Sequence, residues 1–242
     1  MSRRGPGWVP NQHGAWAMLA SPLLVGILAG GFACVHLPLA AFWFVGYFAF
    51  FATSLWLKAS RRARWFPPVR AYGLASLALG ATVVVLDPGL VRWAPLFVVP
   101  LGVGLGAAAQ RRDRTLLSGL ATTAGSALMT VVAYDAGPGT DLARAWQLAL
   151  VQFLYFAGTV FYVKTVIRER DNVGFRRVSG GYHLLALATV AVVFGTAWPL
   201  LATFALLLVR AVVVPPYRPT PKQAGIGEIV ATVLVATTSL LA

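Results

Sequence analysis

The chain has 242 residues, of which 58% are hydrophobic and only 11% are charged, and its mean hydropathy is +0.74. These values exclude an ordinary soluble globular domain and indicate a chain that resides in a bilayer. Because a membrane-spanning helix takes about 17 to 25 residues, the length allows about nine or ten spans and no separate soluble domain. We therefore predict one integral membrane domain over residues 1–242. The single cysteine, Cys34, excludes an intramolecular disulfide and a cysteine-rich metal site.

Apolar windows between charged, proline-marked or glycine-marked breaks predict the membrane spans in chain order. They lie at residues 15–33, 38–57, 71–86, 93–110, 116–134, 146–165, 182–197, 199–214 and 225–242. The predicted fold is therefore an all-α bundle of nine transmembrane helices. Eight helices is the alternative, because Trp198 and Pro199 could mark either a turn between two helices or a kink within one long helix.

The distribution of lysine and arginine predicts the orientation of the spans, because positive residues in short loops stay on the cytoplasmic side. With nine spans and the N-terminus inside, only Arg92 and Arg144 lie outside among all the basic residues. We therefore predict a multi-pass protein of the bacterial cytoplasmic membrane, with its N-terminus inside and its C-terminus outside. This topology accounts for the net charge of +13, so nucleic acid is not an expected partner.

Polar residues other than arginine also gather at the predicted cytoplasmic ends of the helices. Residues 11–13, which read NQH, precede the first helix, and Ser179, Tyr182 and His183 open the seventh. Glu228 is predicted to lie about 4 to 5 Å inside the ninth helix, where a carboxylate needs a partner or water. We therefore predict a polar, arginine-rich cavity that faces the cytoplasm.

The predicted chemistry of this cavity is the binding of an anionic ligand, because guanidinium groups pair bidentately with phosphate or carboxylate. The predicted anion-binding residues are Lys164, Arg168, Arg170, Arg176, Arg177, Arg218 and Lys222. The predicted acid/base residues are His13, His183 and Glu228, joined by Asp171, which would orient an arginine or a rare metal. The other predicted site residues are Asn11, Gln12, Asn172, Ser179 and Tyr182. Structural alternatives exist, because His13 could cap the first helix at the lipid interface, His183 could hydrogen-bond a loop carbonyl, and the helix dipole favours Glu228.

No metal site is predicted, and the sequence names no cofactor. Magnesium that holds a diphosphate needs two or three neighbouring carboxylates, whereas Glu169 and Asp171 are the only close pair and arginines flank both. Zinc could use His13, His183 and Glu228, but no HExxH or cysteine pattern supports it.

Three glycines lie within the run PLGVGLGAAAQ of the fourth predicted span. A dinucleotide site would require a preceding strand in a soluble βαβ unit. We therefore predict that the Gly102-to-Gly106 spacing serves close helix packing.

Four segments of the sequence carry a family resemblance. NQHGAWAML at 11–19, FYVKTVIRERDN at 161–172, SGGYH at 179–183 and PKQAGIGE at 221–228 resemble the YwiC-like family of bacterial integral membrane proteins. This resemblance extends over nearly the whole chain.

A more distant likeness concerns the architecture. Nine helices, an inside N-terminus and cytoplasmic loops after helices 2 and 6 look like the UbiA-type intramembrane prenyltransferases. In those enzymes the two loops carry aspartate-rich motifs, where magnesium holds an isoprenyl diphosphate. Here the first loop has no acidic residue and the second keeps only Glu169 and Asp171. The likeness therefore implies a UbiA-like arrangement without the magnesium motifs.

The sequence leaves three classes of function open, and with them the question of catalysis. A UbiA-like protein that binds or transfers a lipid substrate explains the one-sided polar cluster. A transporter of a small anionic solute would need polar residues or broken helices near mid-membrane, where the sequence offers mainly hydroxyls and Gln152. A non-catalytic accessory or assembly protein would have a well-packed cytoplasmic face. The expected partners are the lipid bilayer and an anionic lipid, isoprenoid or other anionic small molecule.

Overall fold

The computed structural model describes residues 7–10 and 13–242, without the side chain of His13. Within these residues the chain forms nine α-helices and no strand, which confirms the predicted class and number of helices. The helices are α1 (His13–Gly30), α2 (His36–Lys58), α3 (Phe66–Leu86), α4 (Ala94–Ala109), α5 (Leu116–Asp135), α6 (Leu142–Ile167), α7 (Val173–Phe194), α8 (Trp198–Val213) and α9 (Pro221–Leu240). Short 3-10 turns at Ala63–Trp65, Pro88–Trp93 and Pro215–Tyr217 precede α3, α4 and α9.

The outer surface of the bundle is apolar. Seven helices of the described chain are long and apolar enough to cross a membrane, whereas α1 and α8 are apolar but shorter. Large side chains such as Val85 and Val192 are 80% and 85% exposed, which would be unfavourable in water. The protein is therefore a multi-pass membrane protein whose outer helices contact lipid.

Helix α7 begins earlier than predicted because its first turns are polar. The side chain of Asn172 caps the helix and accepts a hydrogen bond from the backbone N–H of Phe175 at 2.9 Å. The prediction that Ser179, Tyr182 and His183 open this helix is therefore wrong, since they lie on its second and third turns. A hydropathy window detects the apolar part of a helix and misses a polar, capped end.

Helix α9 also begins earlier than predicted, at Pro221. Thr220 and Gln223 form a capping box at its N-terminus, so the polar turn before the apolar run is helical. Glu228 therefore lies about 10 Å along the helix axis from Pro221, and the predicted depth of 4 to 5 Å is wrong.

The break near Trp198 and Pro199 is a turn between two helices. Helix α7 ends at Phe194, Gly195 has a left-handed φ of 47°, and α8 begins at Trp198 and packs back along α7. Proline fits this first helical turn because its missing N–H would have no intrahelical partner there. The chain therefore has nine helices and not eight in its described part.

Contacts between loops show which loops lie at the same end of the bundle. Lys58 Nζ lies 2.7 Å from Asp113 Oδ2, which joins the loops after α2 and α4. Arg218 Nη2 lies 2.6 Å from Asp171 Oδ1, which joins the loops after α8 and α6. We name this end the basic face; it comprises loops 59–65, 110–115, 168–172 and 214–220.

The other end of the bundle, which we name the opposite face, carries the remaining loops. His36 Nε2 lies 2.7 Å from the carbonyl oxygen of Ala133, and the backbone N–H of Gly139 donates to the carbonyl of Gly30 at 2.8 Å. The loops of the opposite face are 31–35, 87–93, 136–141 and 195–197. Successive helices therefore run in alternating directions.

The core is built around α5 and α6. Tyr155 and Phe156 of α6 pack with buried residues of α7, α8 and α9, and Met129 of α5 packs with α1, α2 and α3. Glycines bring α1 against α5, because a Cβ at Gly26 would lie only 2.5 Å from the carbonyl oxygen of Thr130. The bundle therefore has two halves that meet along the α5 and α6 pair.

The predicted packing role of Gly102 and Gly106 is wrong within the described residues. A Cβ at either position would meet nothing within 4 Å. The packed glycine of α4 is Gly104, where a Cβ would lie 2.8 Å from Cζ of Phe50. Residues two positions apart point in nearly opposite directions on a helix, so the GxxxG spacing selected the wrong face.

Candidate functional site

A cavity of about 640 Å³ lies between α1, α2, α4 and α5. Apolar and aromatic side chains line its inner part, among them Trp43, Phe50, Phe51, Phe97 and Leu101. Trp43 and Lys58 both line the cavity from α2, so it extends about 22 Å along that helix. The cavity is therefore long enough to take the hydrocarbon part of an amphiphile.

Charged residues line this cavity at the basic face, and we name that end the cavity mouth. Lys58 ends α2, Asp113 and Arg114 lie in the loop after α4, and Arg168 follows α6. Lys58 pairs with Asp113, whereas neither arginine forms an ion pair within the described residues. The mouth therefore carries net positive charge and suits an anionic group.

Lys58 keeps the Asp113 carboxyl at the mouth in its charged form. Partial burial alone would raise the pKa of the Asp113 carboxyl, but the hydrogen bond and charge of Lys58 outweigh it and place this pKa below its ordinary value. Asp113 is therefore ionised at neutral pH. The two side chains are 28% and 32% exposed, so water screens the pair and its contribution to stability is small.

Two hydroxyl groups along the cavity have no hydrogen-bond partner within the described residues. They belong to Tyr47 and Ser54, which line the cavity from α2. By contrast, the hydroxyl of Thr122 on α5, which also lines the cavity, donates to the carbonyl of Ser118 four residues earlier. Buried hydroxyls without a partner are unfavourable, so these two groups are candidates for contact with a ligand.

A second polar site lies between α6, α8 and α9. Glu228 Oε1 lies 2.7 Å from Arg210 Nη1, and Oε2 accepts hydrogen bonds from Thr159 at 2.7 Å and Tyr155 at 3.1 Å. The ring of Tyr162 lies 4.1 Å from the Arg210 guanidinium, within cation–π distance. We name these five residues the Glu228 cluster.

The geometry of the Glu228 cluster is that of a buried ion pair. The Arg210 and Glu228 side chains are only 16% and 13% exposed. Their contact is close but not aligned as a hydrogen bond, so Arg210 Nη1 and Glu228 Oε1 have no hydrogen-bond partner within the described chain. A carboxylate at this depth requires a partner, and Arg210 provides the opposite charge.

The structure does not bring the predicted site residues together at one place. Among the predicted anion-binding residues, Arg168 alone lines the cavity. His183 is buried, with Nδ1 2.8 Å from the carbonyl oxygen of Ser179, which lies one turn earlier in α7 and not in a loop as the structural alternative expected. Tyr182 donates to the carbonyl of Leu154 at 3.1 Å.

The remaining predicted residues lie in or beside the loops of the basic face. Asp171 pairs with Arg218, and Arg170 donates to the carbonyl of Pro219 at 3.1 Å. Lys164 Nζ lies 5.3 Å from the ring centroid of Phe175. Arg176, Arg177 and Lys222 lie on the first two turns of α7 and α9. Asn11, Gln12 and the side chain of His13 lie outside the described residues.

Sequence reasoning missed several residues of these two sites. The sequence marks Lys58 and Arg114 at the mouth only as topology signals, because nothing local distinguishes them from other loop cations. Arg210 had a usable signal. It lies inside the predicted span 199–214, where a cation needs a partner just as the Glu228 carboxylate does, and the structure pairs the two side chains.

The described residues contain no group of three His, Cys, Asp or Glu side chains placed to hold a metal ion. The carboxylate that lines the cavity is Asp113, which is engaged by Lys58. A magnesium-held diphosphate needs more carboxylates than this lining supplies, so these residues do not fit that group.

Comparisons with known proteins show similarity along most of the chain. Residues 9–134 match the sequence profile of a family described as YwiC-like protein. A Bacillus subtilis protein named YwiC is 35% identical over 195 residues, which cover 80% of this chain and 81% of that protein. A Haemophilus influenzae protein is 26% identical over 235 residues, which cover 93% of each chain. No solved structure gave a significant match.

Proposed function

The chain belongs to the YwiC-like family, and from this premise we propose that it binds an anionic amphiphile, with the polar head at the cavity mouth and the apolar part inside the bundle. The single observation that carries the proposal is the composition of the cavity. Its inner part is aromatic and apolar, while Lys58, Arg114 and Arg168 line its mouth. Burial of the apolar part supplies affinity, and the cations select the anionic head.

The proposal places the basic face in the cytoplasm. Arg92 and Arg144 are the only lysine or arginine residues of the described chain near the opposite face, and positive residues in short loops stay inside. The ligand then enters from the cytoplasmic leaflet or the cytoplasm.

One feature supports a UbiA-like arrangement. Lys58 at the end of α2 and Arg168 just after α6 line the same cavity. In UbiA-type enzymes the two motif loops follow helices 2 and 6, so the corresponding chain positions lie close together here. In this chain the converging side chains are cations and not carboxylates. The proposal is therefore direct electrostatic binding of an anionic head, such as that of an isoprenoid phosphate or a phospholipid.

Catalysis is not part of this proposal. Among the predicted acid/base residues, His183, Glu228 and Asp171 do not line the cavity, and their catalytic roles stay predictions. Transport and an accessory role are the alternatives. The presence of an open cavity favours a ligand-binding role over an inert accessory one.

The proposal is tested by analysis of the lipids and small molecules that co-purify in mild detergent. Gly46 lines the cavity, and a Cβ there would meet nothing within 4 Å, so Gly46→Phe places a ring in the cavity without a backbone clash. Gly102→Phe is the matched control, because that Cβ is also unobstructed but the residue does not line the cavity.

We expect one anionic amphiphile to be retained by the native protein and by Gly102→Phe, and reduced roughly tenfold in Gly46→Phe. Arg114→Gln combined with Arg168→Gln should reduce the same species, because the head group loses two cations. Thermal unfolding of each variant verifies that it is folded. Identical mass spectra for the native protein, Gly46→Phe and the arginine variant would contradict the proposal and favour an accessory role.

A further inference from the structure

Arginine occupies an unfavourable backbone conformation at several turns of the basic face. In the described chain the residues other than glycine with positive φ are Ser60 (55°), Arg61 (59°), Arg111 (57°) and Arg218 (50°). A Cβ makes this left-handed region unfavourable, and glycine is the residue that usually occupies it. The turns of the opposite face follow this preference, with glycine at positions 31 and 195.

Arg111 closes the C-terminus of α4. Its backbone N–H donates to the carbonyl of Ala108 at 3.0 Å, and that of Arg112 donates to Ala107 at 2.7 Å. These two bonds define a Schellman turn, in which the left-handed position is usually glycine. Arginine therefore stands where the backbone favours glycine.

The C-terminus of α2 closes in the same way. The N–H of Ser60 donates to Leu57 at 3.1 Å, and that of Arg61 donates to Trp56 at 2.9 Å. Both Ser60 and Arg61 are left-handed, so this turn has two unfavourable residues in succession.

The two turns lie next to each other. Arg111 Nη2 lies 3.5 Å from Ser60 Oγ, and the Lys58 and Asp113 pair joins the same two loops. Arg61 and Arg111 are exposed and do not line the cavity. They therefore form a separate cationic surface beside the cavity mouth.

Topology does not account for arginine at these two positions, and at α2 the helix dipole does not account for it either. The need for positive charge is met by Arg62, Arg112 and Arg114, whose φ angles are negative. Lys58 already supplies a cation in the last turn of α2. The side chains of Arg61 and Arg111 must therefore make an interaction that offsets the backbone strain.

We propose that Arg61 and Arg111 bind the phosphate of anionic phospholipid head groups beside the cavity mouth. Both residues lie within three residues of a helix end, near the level expected for head groups, and guanidinium binds phosphate bidentately. Arg61 also lies 6.0 Å from the ring centroid of Trp56, a residue type that favours the membrane interface. Juxtamembrane cations attract anionic lipid, and here the geometry concentrates two of them at one place.

The test compares the native protein and Arg61→Gly/Arg111→Gly in nanodiscs of phosphatidylcholine alone or mixed equally with phosphatidylglycerol. In phosphatidylcholine the double variant should have the higher Tm, by roughly 2–4 °C per site, because glycine relieves the strain. The gain in Tm that phosphatidylglycerol gives the native protein should fall about twofold or more in the variant.

Arg62→Gly/Arg112→Gly is the matched control, because it removes the same charge from neighbouring positions without positive φ. It should lower the Tm in phosphatidylcholine and keep most of the phosphatidylglycerol gain. A lower Tm for Arg61→Gly/Arg111→Gly in phosphatidylcholine, or an equal loss of the gain in both variants, would overturn the proposal. The loss of gain caused by Arg61→Gly/Arg111→Gly should be the same with and without Gly46→Phe, whatever the cavity binds, so failure of the cavity proposal is distinguishable from failure of this one.

Discussion

Arg210 and Glu228 show how a charge is retained inside a membrane bundle. The carboxylate has a cation on one oxygen and two hydroxyl donors on the other, while the guanidinium also contacts the Tyr162 ring. Each charge is therefore tolerated only in the presence of the other. The cluster joins α6, α8 and α9 and stabilises their arrangement in the bundle.

Single substitutions in this pair should be more harmful than the double substitution. Glu228→Met or Arg210→Met alone leaves a buried, uncompensated charge and should lower the free energy of unfolding by about 3–5 kcal/mol. Arg210→Met/Glu228→Met should lower it by less than the sum of the two, because no charge remains unpaired. Denaturant unfolding in mild detergent measures both effects.

The exposed pair of Arg218 and Asp171 is the control for this measurement. Its side chains are 64% and 82% exposed, so Asp171→Ala should change stability by less than about 1 kcal/mol. Additive losses for Arg210 and Glu228 would show that the two charges do not depend on each other.

At the scale of whole helices, α1 and α5 meet through their backbones. A Cβ at Gly30 would lie 2.5 Å from the carbonyl oxygen of Tyr134, just as one at Gly26 would lie 2.5 Å from that of Thr130. Because lipid removes much of the hydrophobic drive between helices, such close packing is a main source of their association. It also forms one wall of the cavity, since both helices line it.

Gly26→Val should therefore destabilise the protein. The added side chain meets backbone and not a flexible side chain, so α1 has to shift away from α5, at a cost of roughly 1–3 kcal/mol. Gly14→Val is the control on the same helix, because a Cβ there would meet nothing within 4 Å. Thermal unfolding in detergent compares them, and equal Tm values for the two variants would contradict the predicted clash.

At the scale of the whole molecule, the bundle separates charge between its two ends. The loops after α2, α4, α6 and α8 carry most of the arginines, and the loop after α1 carries the exposed Cys34. This separation predicts which end of the protein lies in the cytoplasm.

The single cysteine reports this orientation directly. In spheroplasts, a membrane-impermeant maleimide should label Cys34 without permeabilisation, because the opposite face is predicted to be outside. In Cys34→Ser/Arg112→Cys the new cysteine lies on the basic face and should be labelled only after permeabilisation. The reversed pattern would show that the basic face is outside and would exclude a ligand entering the mouth from the cytoplasm.

The candidate site was only partly predictable from sequence. The concentration of cations in the loops after α2, α4, α6 and α8 and the need of Glu228 for a partner are both visible in the sequence. The sequence does not show that these residues belong to two separate sites. The structure brings Lys58, Arg114 and Arg168 together at the cavity, although they come from three different helix ends. It leaves Glu228 and His183 in the half of the bundle that does not line this cavity.

The sequence by itself determined that this is an all-α membrane protein of eight or nine helices whose basic residues concentrate in alternate loops. Hydropathy and loop charge are properties of contiguous residues, so they can be read without knowing which helices touch. Only the tertiary structure decided which helices are neighbours, which glycines contact a partner, where the capped helix ends begin and which cations share a cavity. The physical reason is that packing and burial join residues that are far apart in the chain, and their side-chain directions follow from helix positions that hydropathy does not encode.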